Sequence, residues 1–257
     1  MSSTMQAVAI IPARYASSRF PGKALADIAG KPMIQHTYER AQQAARVSRI
    51  LVATDDDRIV QAVERFGGEA VMTSPDHPTG TDRLAEVAAT LADELIVNIQ
   101  GDEPLIHPEM IDTVVRLLAN EPTLPMSTLR IRIETPDDIF NPAITKVVTD
   151  LNGYALYFSK GPIPFCRNEW GDFVRRGTGL PDFVPPQVAC HVGLYAYRRD
   201  FLLRYADLPP TPLEQLEQLE QLRVLEHGYR IKVADTVYTS IGVDTPEDLE
   251  RARRLFD

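Results

Sequence analysis

Cysteine is scarce in this chain, which has only Cys166 and Cys190 among its 257 residues. Two cysteines are too few for a disulfide framework, and their spacing matches no metal-binding motif. Cys190 precedes His191, but adjacent residues on a strand point to opposite faces, so we do not expect the pair to form one site. We expect two reduced thiols in a reducing compartment and therefore a cytoplasmic protein.

Long apolar runs and an excess of positive charge are also missing. No stretch approaches the ~18 apolar residues of a membrane-spanning helix, and the first residues, MSSTMQAVAIIPARY, do not predict a signal peptide. The formal net charge of −9 argues against non-specific binding to nucleic acid. We therefore expect no membrane or nucleic-acid partner. A small anionic ligand needs only a local cluster of cations, and it remains compatible with this charge.

The composition is that of a globular protein, with 44% hydrophobic and 25% charged residues. Short apolar runs, as at Ala7–Ile11, Arg49–Ala53 and Leu95–Ile99, alternate with helical segments. This rhythm predicts an α/β fold with a Rossmann-like, mostly parallel sheet and helices on both faces. Because such sheets bind ligands at the carboxyl ends of their strands, we expect sites just after Ile11, Ala53 and Ile99.

The rhythm changes from Met126 onward, and we expect one domain over residues 1–257 in which residues 126–190 contribute a smaller lobe. The segment Phe165–Gln187, which holds the only tryptophan, Trp170, predicts a long loop or small lobe outside the core. A helix is predicted over Pro212–Glu226. Its leucines recur every third residue, so their stripe drifts around the helix, which indicates burial or a subunit contact. Its glutamates are compatible with a charged outer face.

The loop after the first strand, IIPARYASSRFPGK, brings together Arg14, Arg19 and Lys23, with Ser17 between them. Guanidinium groups grip phosphate oxygens bidentately, and hydroxyls add donors, so the loop is a candidate triphosphate site. It matches neither the P-loop nor the dinucleotide-binding glycine motif, and the latter mismatch argues against a dinucleotide-dependent oxidoreductase. The alternative is a solvated surface loop.

Two carboxylates are candidate magnesium ligands. Asp102 follows a predicted strand in VNIQGDEP, where Gly101 allows a ligand close to the backbone. Asp244 precedes Thr245, the predicted N-cap of the last helix, so capping does not account for it. Magnesium is typically held by one or two carboxylates and substrate phosphates. The alternatives are a turn aspartate at position 102 and, for Glu103, a solvated turn residue.

Arg83, in TGTDR, is a further candidate contact for a phosphate or a base. Gly80 indicates a tight loop that enters the helix predicted from Asp82, and Thr81 or Asp82 is its candidate cap. A solvated arginine is the alternative for Arg83.

Six motifs in order, over nearly the whole chain, resemble the 3-deoxy-manno-octulosonate (Kdo) cytidylyltransferases. They are IIPARYASSRFPGK, VNIQGDEP, YALYFSK-x-PIP, HVGLYAYR, PLE-x-x-E-x-LEQLR and GVDTPEDLE. The resemblance implies a nucleotide-diphosphosugar-transferase fold and a homodimer formed through the smaller lobe. It implies transfer of CMP from CTP to the anomeric hydroxyl of Kdo, with Mg²⁺ as cofactor and release of pyrophosphate, for lipopolysaccharide biosynthesis in Gram-negative bacteria.

The resemblance also implies roles for individual residues. Lys23, Asp102 and Asp244 would be catalytic, and the two aspartates would bind magnesium. The nucleotide would be contacted by Arg14, Ser17, Arg19, Lys23, Arg83 and Gln100. The sugar would be contacted by Gln100, Lys160, Arg167, His191, Glu220 and Gln221. Members of the family often carry arginine where this chain has Lys160, which keeps the charge but loses the bidentate fork, so Arg167 is an alternative partner for the sugar carboxylate.

Two rival functions remain on the same fold. One is a cytidylyltransferase for sialic acid or another acidic sugar, against which the HVGLYAYR and EQLR segments argue. The other is a non-catalytic nucleotide-binding regulator. Retention of both Asp102 and Asp244 argues against a regulator, because binding alone does not need two metal carboxylates.

Overall fold

The computed structural model describes residues 5–16, 20–168, 170–171 and 183–256. The chain forms two compact units. The first comprises Met1–Met126, Leu194–Asp207 and Tyr238–Asp257, and the second comprises Ser127–Gly193 and Leu208–Val237. The second unit thus includes a segment beyond residue 190 that we did not assign to the smaller lobe from the sequence.

The secondary structure alternates as expected in the first half of the chain. The strands are β1 (Ala7–Ala13), β2 (Asp27–Ile28), β3 (Lys31–Pro32), β4 (Val47–Thr54), β5 (Ala70–Met72), β6 (Leu95–Asn98), β7 (Met126–Arg132), β8 (Lys146–Thr149), β9 (Ala155–Ser159), β10 (Ala189–Arg198) and β11 (Ile231–Asp235). The helices are α1 (Met33–Ala41), α2 (Asp57–Arg65), α3 (Gly80–Ala89), α4 (Pro108–Asn120), α5 (Pro136–Phe140), α6 (Arg199–Ala206), α7 (Pro212–Glu217), α8 (Gln221–Glu226) and α9 (Pro246–Arg253). None of these helices is long and apolar enough to cross a membrane.

The first unit is built on a mostly parallel sheet in which β1 lies between β4 and β6. β1 pairs with β4 from Ala7 to Ala13 and with β6 from Val8 to Ile10, in parallel in both cases. β5 extends the sheet beyond β4, and residues 195–198 of β10 pair antiparallel with β6. Successive strands run outward from β1 to β5, and the order reverses at β6. The switch point therefore lies between β1 and β6, where open α/β sheets bind ligands.

Thr245 is the N-cap of α9, as predicted, and it forms a capping box with Asp248. The N-cap of α3 is Thr79 and not the predicted Thr81 or Asp82, because Thr79 forms the capping box with Asp82 and the helix begins at Gly80. The apolar run Ala7–Ile11 lies in β1, which continues through Pro12 to Ala13, because Pro12 occupies a paired position beside Ala53 without having to donate a hydrogen bond. Helix α1 begins at Met33, with Pro32 as its N-cap.

The second unit contains β7 between β11 and β10, and β8 between β10 and β9. Asn152 and Gly153 form a turn between β8 and β9, and the Asp150 carboxylate accepts from the backbone N–H groups of Asn152 and Tyr154. An isolated bridge from Tyr154 to Lys232 joins this turn to β11.

Trp170 lies in the core of the second unit, which corrects the expectation that its segment lies outside any core. The side chain is fully buried, and it packs in a cluster with Ile133, Ile139, Val184 and Val188. The polar and proline-rich composition of the surrounding segment gave no sign of this burial. Apolar partners from distant parts of the chain enclose the ring.

The helix predicted over residues 212–226 is interrupted. Gln218 adopts the left-handed conformation, with φ +55° and ψ +46°, between α7 and α8. Because of this break, the leucines do not need to share one helix face: Leu219 and Leu222 are buried, whereas Leu216 is exposed. Glu214 is also buried and pairs with Arg223 at 2.5 Å, so it does not belong to a charged outer face.

We predict that Gln218→Gly stabilises the protein by about 1 kcal/mol, because glycine adopts positive φ without the steric penalty of a side chain. Chemical denaturation of the purified protein measures the change. Gln215→Gly is the matched control: it replaces an exposed glutamine inside α7 and should destabilise by a similar amount. Destabilisation by both substitutions would contradict the assigned conformation of Gln218.

Candidate active site

Three charged side chains meet at the carboxyl end of the sheet in the first unit. The Lys23 ammonium donates to Asp102 Oδ2 at 2.5 Å and to Asp244 Oδ1 at 2.9 Å. It also donates to the Val243 carbonyl at 3.3 Å. The residues lie 79 and 221 positions from Lys23 in the chain, so only the fold brings them together. The sequence predicted each as catalytic but did not predict this ion-pair triad.

Local structure explains how each member of the triad is placed. Gly22 has a φ of +72° and packs against the Tyr15 ring, and this turn starts the short 3₁₀ helix at Lys23. Asp102 follows β6, and its carbonyl accepts from the Val243 N–H at 2.9 Å. That backbone bond ties the segment carrying Asp244 to the strand end that carries Asp102.

The charges of the triad support one another. Burial alone would lower the pKa of Lys23, but the neighbouring carboxylates of Asp102 and Asp244 outweigh burial and raise it above the ordinary value of 10.5. Lys23 is therefore an ammonium at physiological pH, and its charge offsets the repulsion between the two carboxylates.

The donor set fits magnesium. Carboxylate oxygens are the ligands that this hard cation prefers, and one or two of them suffice when substrate phosphates complete the shell. Lys23 engages one oxygen of each aspartate. Within the described residues there is no group of three or more histidine, cysteine, aspartate and glutamate side chains that could hold a metal. A magnesium site here would therefore depend on Asp102, Asp244 and phosphate oxygens.

A small cavity of about 60 Å³ adjoins the triad, and it is lined by Arg14, Lys23, Gln100, Gly101 and Asp102 among others. The Arg14 guanidinium donates to the His77 carbonyl at 2.8 Å, which holds the residue at the strand end. The structure thus brings Arg14, Lys23 and Gln100 around one space, at the switch point between β1 and β6. Ser17 and Arg19, which were predicted to contact phosphate, lie outside the described residues.

Arg83 is placed differently from the sequence interpretation. Its side chain is fully buried, and its guanidinium donates to Asp55 at 2.8 Å and to the Thr73 hydroxyl. Such a buried group supports the ends of β4 and β5 and does not present its charge to solvent. We therefore withdraw Arg83 as a direct phosphate contact. The TGTDR motif, which contains Arg83, does not indicate that Asp55 would be its partner.

Glu103 is a residue whose environment the sequence did not reveal. It was interpreted as a solvated turn residue, but it is only partly exposed. Burial, together with the negative charge of Asp102, raises its pKa to about 7. The adjacent acidic residue Asp102 was the one available signal, because two neighbouring carboxylates disfavour each other's ionisation.

The second unit holds the predicted sugar contacts. His191, on β10, is bonded through Nε2 to the Thr128 hydroxyl at 3.0 Å and meets the Phe158 ring edge-on. Burial, and secondarily the positive charge of Lys160, lowers the pKa of His191 to about 3. The imidazole is therefore neutral at physiological pH. It is suited to hydrogen bonding and does not attract a carboxylate by charge.

The remaining predicted sugar contacts lie near the ends of elements in the same unit. Lys160 directly follows β9 and is partly buried, whereas Arg167 is exposed. Glu220 immediately precedes α8, and Gln221, its first residue, is buried.

Gly101 is required by close packing beside the triad. A Cβ at this position would lie 2.8 Å from the Pro12 carbonyl oxygen, which is rigid backbone of β1. We predict that Gly101→Ala displaces the strand end, with a loss of about 1–3 kcal/mol in the free energy of unfolding and reduced turnover. Gly80→Ala is the control, since its Cβ would meet Pro12 at an ordinary 3.6 Å. Equal behaviour of the two variants would refute the close approach.

The depressed pKa of His191 predicts acid sensitivity. Below pH 6.5 the unfolded chain binds a proton on this imidazole, while the folded protein binds none until about pH 3. Its contribution to stability is therefore lost as pH falls from 6.5 towards 3. We expect the melting temperature of His191→Gln to fall less on acidification from neutral pH than that of the unsubstituted protein. His227→Gln, which alters a ring bonded to the Pro209 carbonyl, is the control, and identical slopes for all three proteins would count against the assignment.

Comparison with protein families and curated proteins gives consistent matches. The cytidylyltransferase family matches residues 8–231. A 3-deoxy-manno-octulosonate cytidylyltransferase from Geobacter sulfurreducens is 59% identical over 249 residues, covering 96% of this chain and 98% of the relative. A protein of the same name from Geotalea daltonii is 58% identical over 256 residues, covering 98% of this chain and 99% of the relative.

Solved structures show the same relationship. A structure of CMP:2-keto-3-deoxy-manno-octonic acid synthetase complexed with CTP matches with a TM-score of 0.87 and 46% identity, covering 98% of each chain. A cytidylyltransferase from Leptospira borgpetersenii matches with a TM-score of 0.61 and 17% identity, over 97% of this chain and 85% of that one, and shows the fold alone. These matches confirm the predicted nucleotidyltransferase fold.

Proposed function

The chain belongs to the 3-deoxy-manno-octulosonate cytidylyltransferases, and we propose that the triad of Lys23, Asp102 and Asp244 is the centre of its reaction. The enzyme transfers CMP from CTP to Kdo and releases pyrophosphate, a step of lipopolysaccharide biosynthesis. The observation that carries the proposal is the ammonium of Lys23 between two carboxylates at the switch point of the sheet.

The reaction is a direct displacement at phosphorus. The anomeric oxygen of Kdo forms a bond to the α-phosphorus of CTP, the bond from that phosphorus to the pyrophosphate oxygen breaks, and the hydroxyl proton passes to solvent water. No nucleophilic side chain is needed, so positioning and neutralisation of charge supply the rate. Lys23 is suited to neutralise the phosphates, because its pKa is raised and it keeps its charge.

Asp102 and Asp244 would hold magnesium. When bound, the ion would neutralise phosphate charge and polarise the reacting groups. Arg14 and Gln100 line the cavity beside the triad, which supports their contact with the nucleotide. Ser17 and Arg19 remain predicted phosphate contacts from the sequence motif.

The sugar contacts are proposed for the second unit. We assign the acceptor carboxylate to Lys160 in preference to Arg167, because Lys160 is partly buried and acts electrostatically on His191, whereas Arg167 is exposed. The neutral ring of His191 suits a sugar hydroxyl. Glu220 and Gln221, at the start of α8, supply further polar groups for the hydroxyls.

We also propose a cytoplasmic homodimer. Both cysteines are free thiols, which supports a reducing compartment. Large apolar side chains of the second unit are exposed, and they support a subunit contact there: Leu151, Leu156, Leu213, Leu216 and Val237. Light scattering of the purified protein, with and without Leu216→Lys, tests the dimer, and a monomeric mass for the unsubstituted protein would refute it.

Asp102→Asn tests the triad, because it keeps the shape of the side chain and removes its charge. We expect magnesium-dependent pyrophosphate release from CTP and Kdo to fall by at least about a hundredfold, since metal and phosphate neutralisation supply several kcal/mol of transition-state stabilisation. The melting temperature should stay close to that of the unsubstituted protein.

The control is Asp200→Asn, whose side chain is 91% exposed and far from the triad in sequence. Turnover by Asp102→Asn close to that of the unsubstituted enzyme would overturn the metal assignment. The same assay with sialic acid as acceptor should show no release. Binding of CTP without turnover on either sugar would favour a regulator.

A further inference from the structure

The main chain of Lys160 is held from both sides by buried or partly buried charges. The Glu217 carboxylate accepts from the Lys160 N–H at 2.8 Å, through Oε2. The Lys146 ammonium donates to the Lys160 carbonyl at 2.7 Å. An anion therefore faces the donor of this residue, and a cation faces its acceptor.

Glu217 commits its carboxylate to this one segment. Its Oε1 accepts from the Ser159 hydroxyl at 2.7 Å and is 3.5 Å from the Tyr157 hydroxyl. The Ser159 hydroxyl in turn accepts from the Gly161 N–H at 2.9 Å. The carboxylate therefore fixes three consecutive residues at the end of β9, directly through residues 159 and 160 and indirectly through Gly161.

Lys146 completes the arrangement from the opposite side. Its side chain is fully buried, and its three ammonium hydrogens are directed to three main-chain carbonyls, those of Asn141, Ile144 and Lys160, at 2.7–2.9 Å. Because burying an unpaired ammonium is costly, such a group is kept only where its partners satisfy it. Here those partners are the backbone around Lys160 and the loop before β8.

Gln218 explains how Glu217 reaches this position. Glu217 is the last residue of α7, and the left-handed Gln218 ends the helix there. A continuous helix would carry the chain onward in another direction. The left-handed Gln218 thus ends α7 at Glu217, whose carboxylate binds the end of β9.

Charge-assisted hydrogen bonds are shorter and stronger than neutral ones, so the two peptide units that flank the Lys160 Cα have little freedom to rotate. The direction of the Cα–Cβ bond follows from those two units. The Lys160 ammonium lies 3.4 Å from the Ala143 carbonyl and close enough to His191 to affect its pKa. Fixing the main chain therefore fixes the point and the direction from which the Lys160 side chain, with its positive charge, extends.

We propose that Glu217 and Lys146 are positioning residues that together aim Lys160 at the carboxylate of the acidic sugar. The proposal rests on the function proposed above, in which Lys160 contacts that carboxylate. Glu217 and Lys146 do not touch the substrate. They supply through the main chain some of the rigidity that a bidentate arginine would supply through its own side chain.

The test measures the KM for Kdo and for CTP separately in the full-length enzyme. Glu217→Gln keeps the size of the side chain but loses its charge and one of its acceptor oxygens. We expect the KM for Kdo to rise roughly tenfold, because a tenfold change corresponds to the loss of one charge-assisted hydrogen bond. The KM for CTP should not change. Lys146→Met should give the same pattern. If that variant fails to fold, Glu217→Gln alone decides the outcome.

The matched control is Glu226→Gln. Glu226 is a carboxylate of the same unit that also accepts from backbone N–H groups, but these belong to Leu213 and Glu214 and not to the Lys160 segment. We expect a change in stability for this variant and no change in the KM for Kdo. An equal rise in the KM for Kdo in both variants would show a general effect on folding and overturn the proposal.

A double-mutant cycle with Lys160→Met separates the positioning role of Glu217 from the contact between Lys160 and the substrate. If Glu217 acts through Lys160, Glu217→Gln should raise the KM for Kdo in the unsubstituted enzyme and add little in Lys160→Met. An equal rise in both backgrounds would overturn the positioning role while leaving the Lys160 contact intact. An unchanged KM for Kdo in Lys160→Met would overturn the contact itself, and the positioning role with it.

Discussion

The first unit depends at its active edge on a single ammonium placed between two carboxylates. Lys23, Asp102 and Asp244 come from the loop after β1, the end of β6 and the residue before the last helix. Two carboxylates this close repel each other unless a cation lies between them. The lysine therefore allows two carboxylates to lie together at this edge of the sheet, where we propose that a metal and the triphosphate bind, and the same ammonium is suited to neutralise phosphate.

The sheet must keep a close register for this arrangement to exist. β1 and β6 pair in parallel, so their carboxyl ends open at the same edge, and Gly101 then passes the Pro12 carbonyl at a distance that excludes a Cβ. The backbone bond from Val243 to Asp102 attaches the third segment. Buried apolar strands thus hold a small group of polar side chains in place. A site that is preorganised in this way needs little reorganisation during the reaction.

The sequence predicted those features that depend on near neighbours. Alternating apolar runs located the strands, and Thr245 indicated the start of the last helix through the spacing of its capping partner. The motifs identified Lys23 in the loop after β1, Asp102 after β6 and Asp244 before the last helix. The sequence did not predict the burial of Trp170 or the left-handed conformation of Gln218, because both depend on packing between distant segments. Trp170 is buried by apolar residues that precede and follow it in the chain. The left-handed Gln218 interrupts a helix whose leucine spacing does not match the helical period.

The sequence by itself determined the alternation of strands and helices, the cap of the last helix, and a set of charged residues of the right chemistry at the right loops. These follow from local periodicity and from hydrogen bonds between residues a few positions apart. Only the tertiary structure decided which charges meet. It paired Lys23 with two aspartates, buried Arg83 against Asp55, and enclosed the Lys160 peptide between Glu217 and Lys146. Electrostatic energy depends on distance in space and on burial, and neither can be read from separation along the chain.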